Sequence, residues 1–312
     1  MRGFILAAGF GTRLRPLTNH IPKSLLPVCG IPLLERRLKF LTDNGIETIG
    51  VNSHYLHEQF ETFRNNCPIG FDLFHETDSI RGSGGPLYFA KDFLQQSDIF
   101  CICNAEPLTV FDLQEKYSQF RRSSSVCTLL AAPSPGNGTV FYEPESGEYV
   151  GPRNEIQNKQ GLGSADFIGV ALYRKEFLEL MRPDDFSILP IWKRAQENGL
   201  HVTVSIIDEL YWKDIGNPGE FAEIHFDFLE GKTPLDIPRD YVFDRERKVA
   251  FPAGLARDRA QQLKEHVWCD SASLPDDVVF FRSVILQKPV NLTENGSIEK
   301  AIISFGEVVS LE

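Results

Sequence analysis

The chain has 312 residues with a formal net charge of -11 and a pI near 5.2, a balance that excludes a nucleic-acid surface, because backbone phosphate contacts need clustered Lys and Arg. Hydrophobic content of 42% and charged content of 24% are those of a soluble globular protein long enough for two domains, and no apolar run reaches the roughly 18 residues of a membrane span. The N-terminus runs directly into a strand, which predicts no secretory leader and a cytoplasmic protein. The six cysteines show no Cys-x-x-Cys spacing, so they predict buried small hydrophobes rather than a zinc site or a disulfide framework.

Phe4-Ile5-Leu6-Ala7-Ala8 is an apolar run without helical period that ends at Gly9-Phe10-Gly11-Thr12, the pattern of a buried parallel strand entering a glycine-rich loop. Gly9 and Gly11 let the backbone approach an anion, and Arg13, Arg15 and Lys23 add positive charge nearby, which suits a polyphosphate. Pro22-Lys23 follows Gly-x-Gly-Thr-Arg at a short interval, and Leu25-Leu26-Pro27-Val28 resumes as a second apolar segment. This stretch closely resembles the signature of the sugar-1-phosphate nucleotidyltransferase (nucleotide-sugar pyrophosphorylase) family; Leu14 stands where a dinucleotide-binding fingerprint needs its third glycine. The resemblance implies a Rossmann-like α/β domain with a mixed or parallel sheet. It also implies a nucleotide held by Ala7, Ala8, Gly9, Gly11, Thr12 and Arg13, and catalytic roles for Arg13 and Lys23.

Leu33 to Asn44 has helical apolar spacing and closes at Asn44-Gly45; Thr48 to Asn52 reads as a buried strand, and His54 to Phe60 begins another helix. This βαβα order predicts a parallel sheet covered on both faces. His54 and His57 at a helix start fit surface polar residues better than metal ligands. Phe71 to Glu76 alternates like a strand, and Arg81-Gly82-Ser83-Gly84-Gly85-Pro86 opens a helix; in the family such a loop lies over the nucleobase, so Gly84 and Gly85 resemble base-contacting positions, a plain helix-start turn being the alternative.

The apolar strand Asp98 to Cys103 ends at Asn104-Ala105-Glu106-Pro107. Ligands of open α/β sheets gather beyond such strand ends, and Asn104 joins the nucleotide-binding set. The family normally carries Asn-Gly-Asp here with the Asp on Mg²⁺; this chain has Ala105 and Glu106, an oxygen donor one methylene longer. A helix over Asp112 to Arg121, a strand over Val126 to Ala132 and a hairpin over Gly136 to Val150 follow. Related enzymes then place an acidic-Lys-Pro triplet on the sugar phosphate. The triplet is absent, which leaves Gly151, Arg153, Lys159 and Asp166 as sugar-phosphate candidates, and Phe167-Ile168-Gly169-Val170 resembles the strand bordering the sugar pocket. Beyond a helix over Ile188 to Asn198 and a strand over Val202 to Ile206, Tyr211-Trp212-Lys213-Asp214-Ile215-Gly216-Asn217-Pro218 matches the family's second signature, with Asp214 as the second metal carboxylate.

Gly219 to Glu230 closes the catalytic domain, and Gly231-Lys232-Thr233-Pro234 reads as a boundary, giving domains 1–231 and 232–312. In the second, Val278, Val284, Val290, Ile302 and Val308 recur every six residues, with Gly296 in the missing slot and Phe280, Leu286, Leu292 and Ile298 on the same period two places on. A sixfold apolar repeat is the mark of a hexapeptide β-helix, here a short C-terminal left-handed one of about two coils over Ala272 to Glu312, whose open end predicts a homo-oligomer, most simply a dimer. The expected activity is Mg²⁺-dependent nucleotidyl transfer from an NTP to a sugar 1-phosphate, with no nucleic-acid or membrane partner. The alternative is a weakened or inactive homologue that binds nucleotide sugar and regulates a partner; a hexapeptide acyltransferase fails, since two coils leave no acyl-carrier groove.

Overall fold

The computed structural model describes residues 1–276, 278–286, 296–305 and 307–311; the predicted repeat positions Val290 and Leu292 lie outside them. The chain forms two compact units, Met1–Gly9 with Leu34–Trp212, and Phe10–Leu33 with Lys213–Glu312. Among the described residues no helix is long and apolar enough to cross a membrane.

The first unit is a mixed nine-stranded sheet. Strands β1 (Arg2–Leu6), β2 (Thr48–Ser53), β3 (Asp72–His75) and β4 (Ile99–Asn104) run parallel in the order β3-β2-β1-β4. Helices α1 (Leu33–Asp43), α2 (His57–Asn66) and α3 (Gly85–Phe89) lie on the connections. The central strands are continuous apolar runs because both faces are covered, and Phe4 and Phe100 are fully buried. The order reverses between β1 and β4, the place where open α/β sheets leave a crevice for a ligand.

Beyond β4 come α4 (Leu113–Arg122), β5 (Cys127–Pro133), β6 (Val140–Tyr142), β7 (Tyr149–Pro152), β8 (Gly163–Arg174), α5 (Leu189–Glu197) and β9 (Val202–Ile206). β8 is antiparallel to β4, β5 and β6, and β9 is parallel to β5. Its 12 residues serve two neighbourhoods: Gly163 to Ala165 pair with β6, and Val170 to Arg174 pair with β4. Phe100, Tyr173, Phe177 and Trp192 share one core, with the Phe100 and Tyr173 rings stacked at 5.4 Å; each such side chain contributes about 1.5–3 kcal/mol through its burial.

The second unit contains short 3-10 turns over 12–25, α6 (Pro218–Leu229) and a seven-stranded sheet. Its strands are β10 (Tyr241–Asp244), β11 (Val249–Pro252), β12 (Leu263–Cys269), β13 (Val278–Ile285), β14 (Gly296–Glu299), β15 (Ala301–Ser304) and β16 (Glu307–Ser310). β11, β12 and β13 are parallel neighbours, and β13 meets β14 and β15 in parallel at a constant 18-residue offset, as in Val278↔Gly296 and Val284↔Ile302. Lys248, His266, Arg282 and Lys300, 16 to 18 residues apart, all have left-handed φ. Parallel pairing starts at Val249, upstream of the expected Ala272, because the charged stretch Arg257 to His266 hides the apolar period there.

Candidate functional site

In the first unit the C-terminal ends of β1 and β4 are in register, Leu6 opposite Asn104, and Ala105 donates its N–H to the Leu6 carbonyl at 2.9 Å. A cavity of about 320 Å³ opens there, lined among others by Leu6, Ser83, Asn104, Phe167, Gly169 and Trp192. Gly169 is needed beside Asn104. It sits at φ +72°, in a bulge of β8 between Phe167 and Val170, and a Cβ on it would lie 3.0 Å from Asn104 Nδ2. The strand predicted from Phe-x-Gly-Val therefore bends where it borders Asn104.

Ala7 and Ala8 are buried and Gly9 is exposed. The Ala7 N–H donates to Asn52 Oδ1 at 2.6 Å, Asn52 Nδ2 donates to Glu76 Oε1 at 2.8 Å, and the Arg81 N–H donates to Glu76 Oε2 at 2.7 Å. Asn52 and Glu76 escaped the sequence reading, because each stands at the end of a strand pattern beside other polar residues, Asn52 before Ser53 and His54 and Glu76 after His75, with no motif to single it out. His54 and His57 serve local packing: His54 Nδ1 meets the Glu76 carbonyl at 2.6 Å, and His57 meets Ser53 Oγ at 2.8 Å and stacks on His75. Gly84 and Gly85 are buried. A Cβ on Gly84 would lie 2.8 Å from the Ser187 carbonyl oxygen, and one on Gly85 would lie 2.9 Å from Arg81 Cβ, so the chain's own backbone already requires these glycines.

The sugar-phosphate candidates Arg153, Lys159 and Asp166 converge on Thr139. The Thr139 N–H donates to Asp166 Oδ1 at 3.0 Å, Thr139 Oγ1 accepts from the Phe167 N–H at 2.9 Å, and the Arg153 N–H donates to the Thr139 carbonyl at 2.9 Å. Arg153, Lys159, Asn154 and Thr139 line an open cavity of about 450 Å³, and Thr139 also lines the cavity at Asn104. Lys159 Nζ lies 5.1 Å from the Phe141 ring centre. Gly151 is buried on β7, with room for its Cβ taken by Ile156. The structure thus gathers three of the four candidates. Thr139, missed in sequence, was signalled only by Asn137-Gly138 in the turn before it.

Glu106 is half-buried after β4. Beneath its turn lies Arg37 of α1, 3% exposed, whose Nη1 donates to Thr109 Oγ1 at 2.8 Å and whose Nη2 donates to the Pro107 carbonyl at 2.5 Å. Burial pushes the Arg37 guanidinium below its usual range, against the pull of Cys103, Cys101 and Glu106.

In the second unit, Gly11 closes on Lys23: a Cβ on Gly11 would lie 2.9 Å from Lys23 Cβ, and Thr18 Oγ1 donates to the Gly11 carbonyl at 2.9 Å. Lys23 is 9% exposed, whereas Thr12 and Arg13 are exposed. The second signature folds as the cap of α6: Asn217 Oδ1 accepts from the Glu220 N–H at 3.0 Å, and Glu220 Oε2 accepts from the Gly216 N–H at 2.6 Å. A Cβ on Gly216 would lie 2.9 Å from Arg13 Nη1 and 3.4 Å from Asp214 Oδ2. The two signatures meet at this glycine, which brings Arg13 and Asp214 together. Asp214 is exposed, and its Oδ1 accepts from the Ile215 N–H at 2.8 Å.

Residues 2–139 match the family model described as Nucleotidyl transferase. Curated relatives include the mannose-1-phosphate guanylyltransferase catalytic subunit beta of Xenopus tropicalis, 28% identical over 71% of this chain, and the bifunctional protein GlmU of Methanococcus aeolicus, 29% identical over 75% of it. The chain spans 62% of the length of the first and 56% of the second. Among solved structures, a putative glucose-1-phosphate thymidylyltransferase from Bacillus anthracis aligns with a TM-score of 0.61 at 18% identity, over 77% of this chain and 98% of its own. The inositol-1-phosphate CTP transferase of T. maritima aligns at 0.59 and 18%, over 70% of this chain and 90% of its own. These two likenesses establish the shared fold.

Proposed function

We propose that this chain, a homologue of the sugar-1-phosphate nucleotidyltransferases with a nucleotidyl transferase domain over residues 2–139, transfers a nucleotidyl group from an NTP to a sugar 1-phosphate. One observation carries the reading. Thr139 lines both the cavity at the β1/β4 reversal, where Asn104 stands, and an open pocket bearing two cations, Arg153 and Lys159. A nucleotide in the first and a sugar phosphate in the second would be neighbours.

In such a transfer a phosphate oxygen of the sugar 1-phosphate forms a bond to the α-phosphorus, the α–β phosphoanhydride bond breaks, and pyrophosphate leaves with the electron pair. Little covalent work falls to side chains, so positioning and charge neutralisation do most of it. Arg13 would hold the departing pyrophosphate and Lys23 the phosphates around the α-centre. Ala7, Ala8, Gly9, Gly11 and Thr12 offer backbone to the nucleotide, and Gly84 and Gly85 let the second loop fold against its pocket. Arg153, Lys159 and Asp166 would receive the sugar phosphate, with Gly151 packed behind them.

Nucleotidyltransferases of this kind generally use a divalent metal, and the donor chemistry here fits Mg²⁺. Among the described residues no group of three or more His, Cys, Asp or Glu gathers to cage a metal. Mg²⁺ ordinarily takes one or two carboxylates and fills its shell with substrate phosphates and water, and Glu106 and Asp214 supply such hard oxygen donors. When bound, the ion would neutralise charge on the reacting phosphates. Arg37 favours a second reading: a buried guanidinium under the Glu106 turn, bonded to Thr109 and the Pro107 carbonyl, sets a structural positive charge near that carboxylate, as a non-catalytic, nucleotide-sugar-binding regulator could tolerate.

Pyrophosphate release measured across GTP, UTP, CTP and dTTP with a panel of sugar 1-phosphates separates the two. The enzyme reading expects Mg²⁺-dependent release with one pair and a loss of about 10²-fold in Glu106→Gln. Nucleotide-sugar binding without release from any pair would leave only the regulator.

We also propose functional domains 1–231 and 232–312. The 18-residue parallel register supports a short hexapeptide coil, with left-handed winding, as its frame. β16 carries Val308, 49% exposed, next to β15; this supports a homodimer closed over that end. Sedimentation at micromolar concentration should give twice the chain mass, and a monomer would remove the dimer.

A further inference from the structure

Glu76 is 0% and Asn52 1% exposed, and together they bridge three neighbouring parallel strands. Ala7 follows β1, Asn52 lies in β2, and Glu76 follows β3. The relay has a fixed polarity: the Ala7 N–H gives to Asn52 Oδ1, Asn52 Nδ2 gives to Glu76 Oε1, and the Arg81 N–H gives to Glu76 Oε2. Both Glu76 oxygens accept, the arrangement of an ionised carboxylate, and a carboxylate buried among neutral donors is costly unless every lone pair it presents is used. Asparagine at 52 is the one residue type of its size that offers an acceptor to Ala7 and a donor to Glu76 at once.

An apolar pair would fill the same space but leave the Ala7 and Arg81 N–H groups without these acceptors, so the amide and the carboxylate tie two backbone segments together as well as pack. What the pair achieves is a fixed distance between the end of β1 and Arg81, the first residue of the second glycine-rich loop. We propose that Asn52 and Glu76 are positioning residues for nucleotide binding, holding the backbone after β1 and the Arg81–Gly85 loop in one spacing. The inference rests on the nucleotide reading above, and neither residue touches the ligand.

The polarity gives a decisive test. Asn52→Asp keeps an acceptor for Ala7 but sets two carboxylates face to face; Glu76→Gln keeps one acceptor and sets its amide NH2 against another N–H donor, either the Asn52 amide or the Arg81 backbone. Either change alone breaks the relay. In the double variant Asn52→Asp with Glu76→Gln, the new Asp accepts from Ala7 and from the new Gln, and the Gln oxygen accepts from Arg81, so all three hydrogen bonds and the single buried charge return with the central bond reversed.

Equilibrium binding of each of GTP, UTP, CTP and dTTP with Mg²⁺, without sugar phosphate, is measured by calorimetry at a temperature where all variants are folded by circular dichroism. For the nucleotide that wild type binds, each single variant should bind about tenfold more weakly or worse, and the double should return to within about threefold. Singles that bind as wild type does, or a folded double that stays as weak as the singles, would overturn the positioning role while leaving the nucleotide reading intact. Wild type that binds none of the four overturns both. If one single variant does not fold, the other decides: a folded single that binds as wild type does overturns the positioning role, and a folded single about tenfold weaker, rescued in the double, supports it.

Discussion

A Cβ added to Gly9 would meet nothing within 4 Å, while one added to Gly82, at φ +72°, would run into the carbonyl oxygen of Phe186. Gly84 and Gly85 repeat the second pattern against Ser187 and Asp185. Both loops are glycine-rich, and both link a parallel strand to a helical turn, yet the first is open at Gly9 and the second is already filled by the segment 185–187. Phe186 accepts N–H groups from both Ser83 and Gly84. A glycine run marks a close approach; only the structure says whether a ligand or the chain itself approaches.

The sharpest way to break this contrast is to give each loop a methyl group. Gly82→Ala combines a strained φ with a backbone collision and should lose about 3 kcal/mol or more of stability, whereas Gly9→Ala should stay within about 0.5 kcal/mol of wild type and instead weaken nucleotide binding. Denaturant midpoints for the pair decide the matter, and equal midpoints would erase the difference.

Next in size, Lys23→Ala and Arg13→Ala should each lower kcat/KM by about 10²-fold, or about 2.7 kcal/mol of transition-state stabilisation, in folded protein. Turnover near wild type in either one would detach the first loop from the chemistry. The smallest effect concerns the segment behind the second loop. Asp185, 7% exposed in its side chain, takes a two-pronged grip from Arg194 at 2.8 and 2.9 Å, and that hydrogen bonding holds its carboxyl below the usual range. A carboxyl depressed in the folded state adds stability above its unfolded pKa, near ~3.9, and loses it as pH falls through the lower folded value. Asp185→Asn should therefore cost about 1.5–2 kcal/mol at neutral pH and flatten acid unfolding below about pH 4; an unchanged acid limb would show that Arg194 does not brace the loop.

Much of the first unit was legible because its strands are apolar runs, and in the second unit motifs of fixed spacing carry Arg13, Lys23 and Asp214. The buried polar residues were not. Asn52, Glu76 and Arg37 reach partners 24 to 72 positions away in sequence, and no local period betrays a partner that distant. Thr139 was hidden because its work is done largely by its backbone. In the second unit the sixfold pattern was visible where side chains alternate cleanly, and it failed over Arg257 to His266, where a helical turn, Arg257–Ala260, and the exposed Lys264 and Glu265 at the start of β12 interrupt it.

Strand β8 has one more consequence. Its first residues hydrogen-bond the lip that carries Thr139 and its last residues hydrogen-bond β4 beneath Asn104, so one strand, bent at the Gly169 bulge, underlies both ends of the cleft. Local opening follows cooperative units rather than functional labels. Amide protons of the lip and of the cleft floor then share one strand but sit on opposite sides of its bulge, so the cleft breathes about Gly169, the glycine that lets its floor and its lip turn against each other.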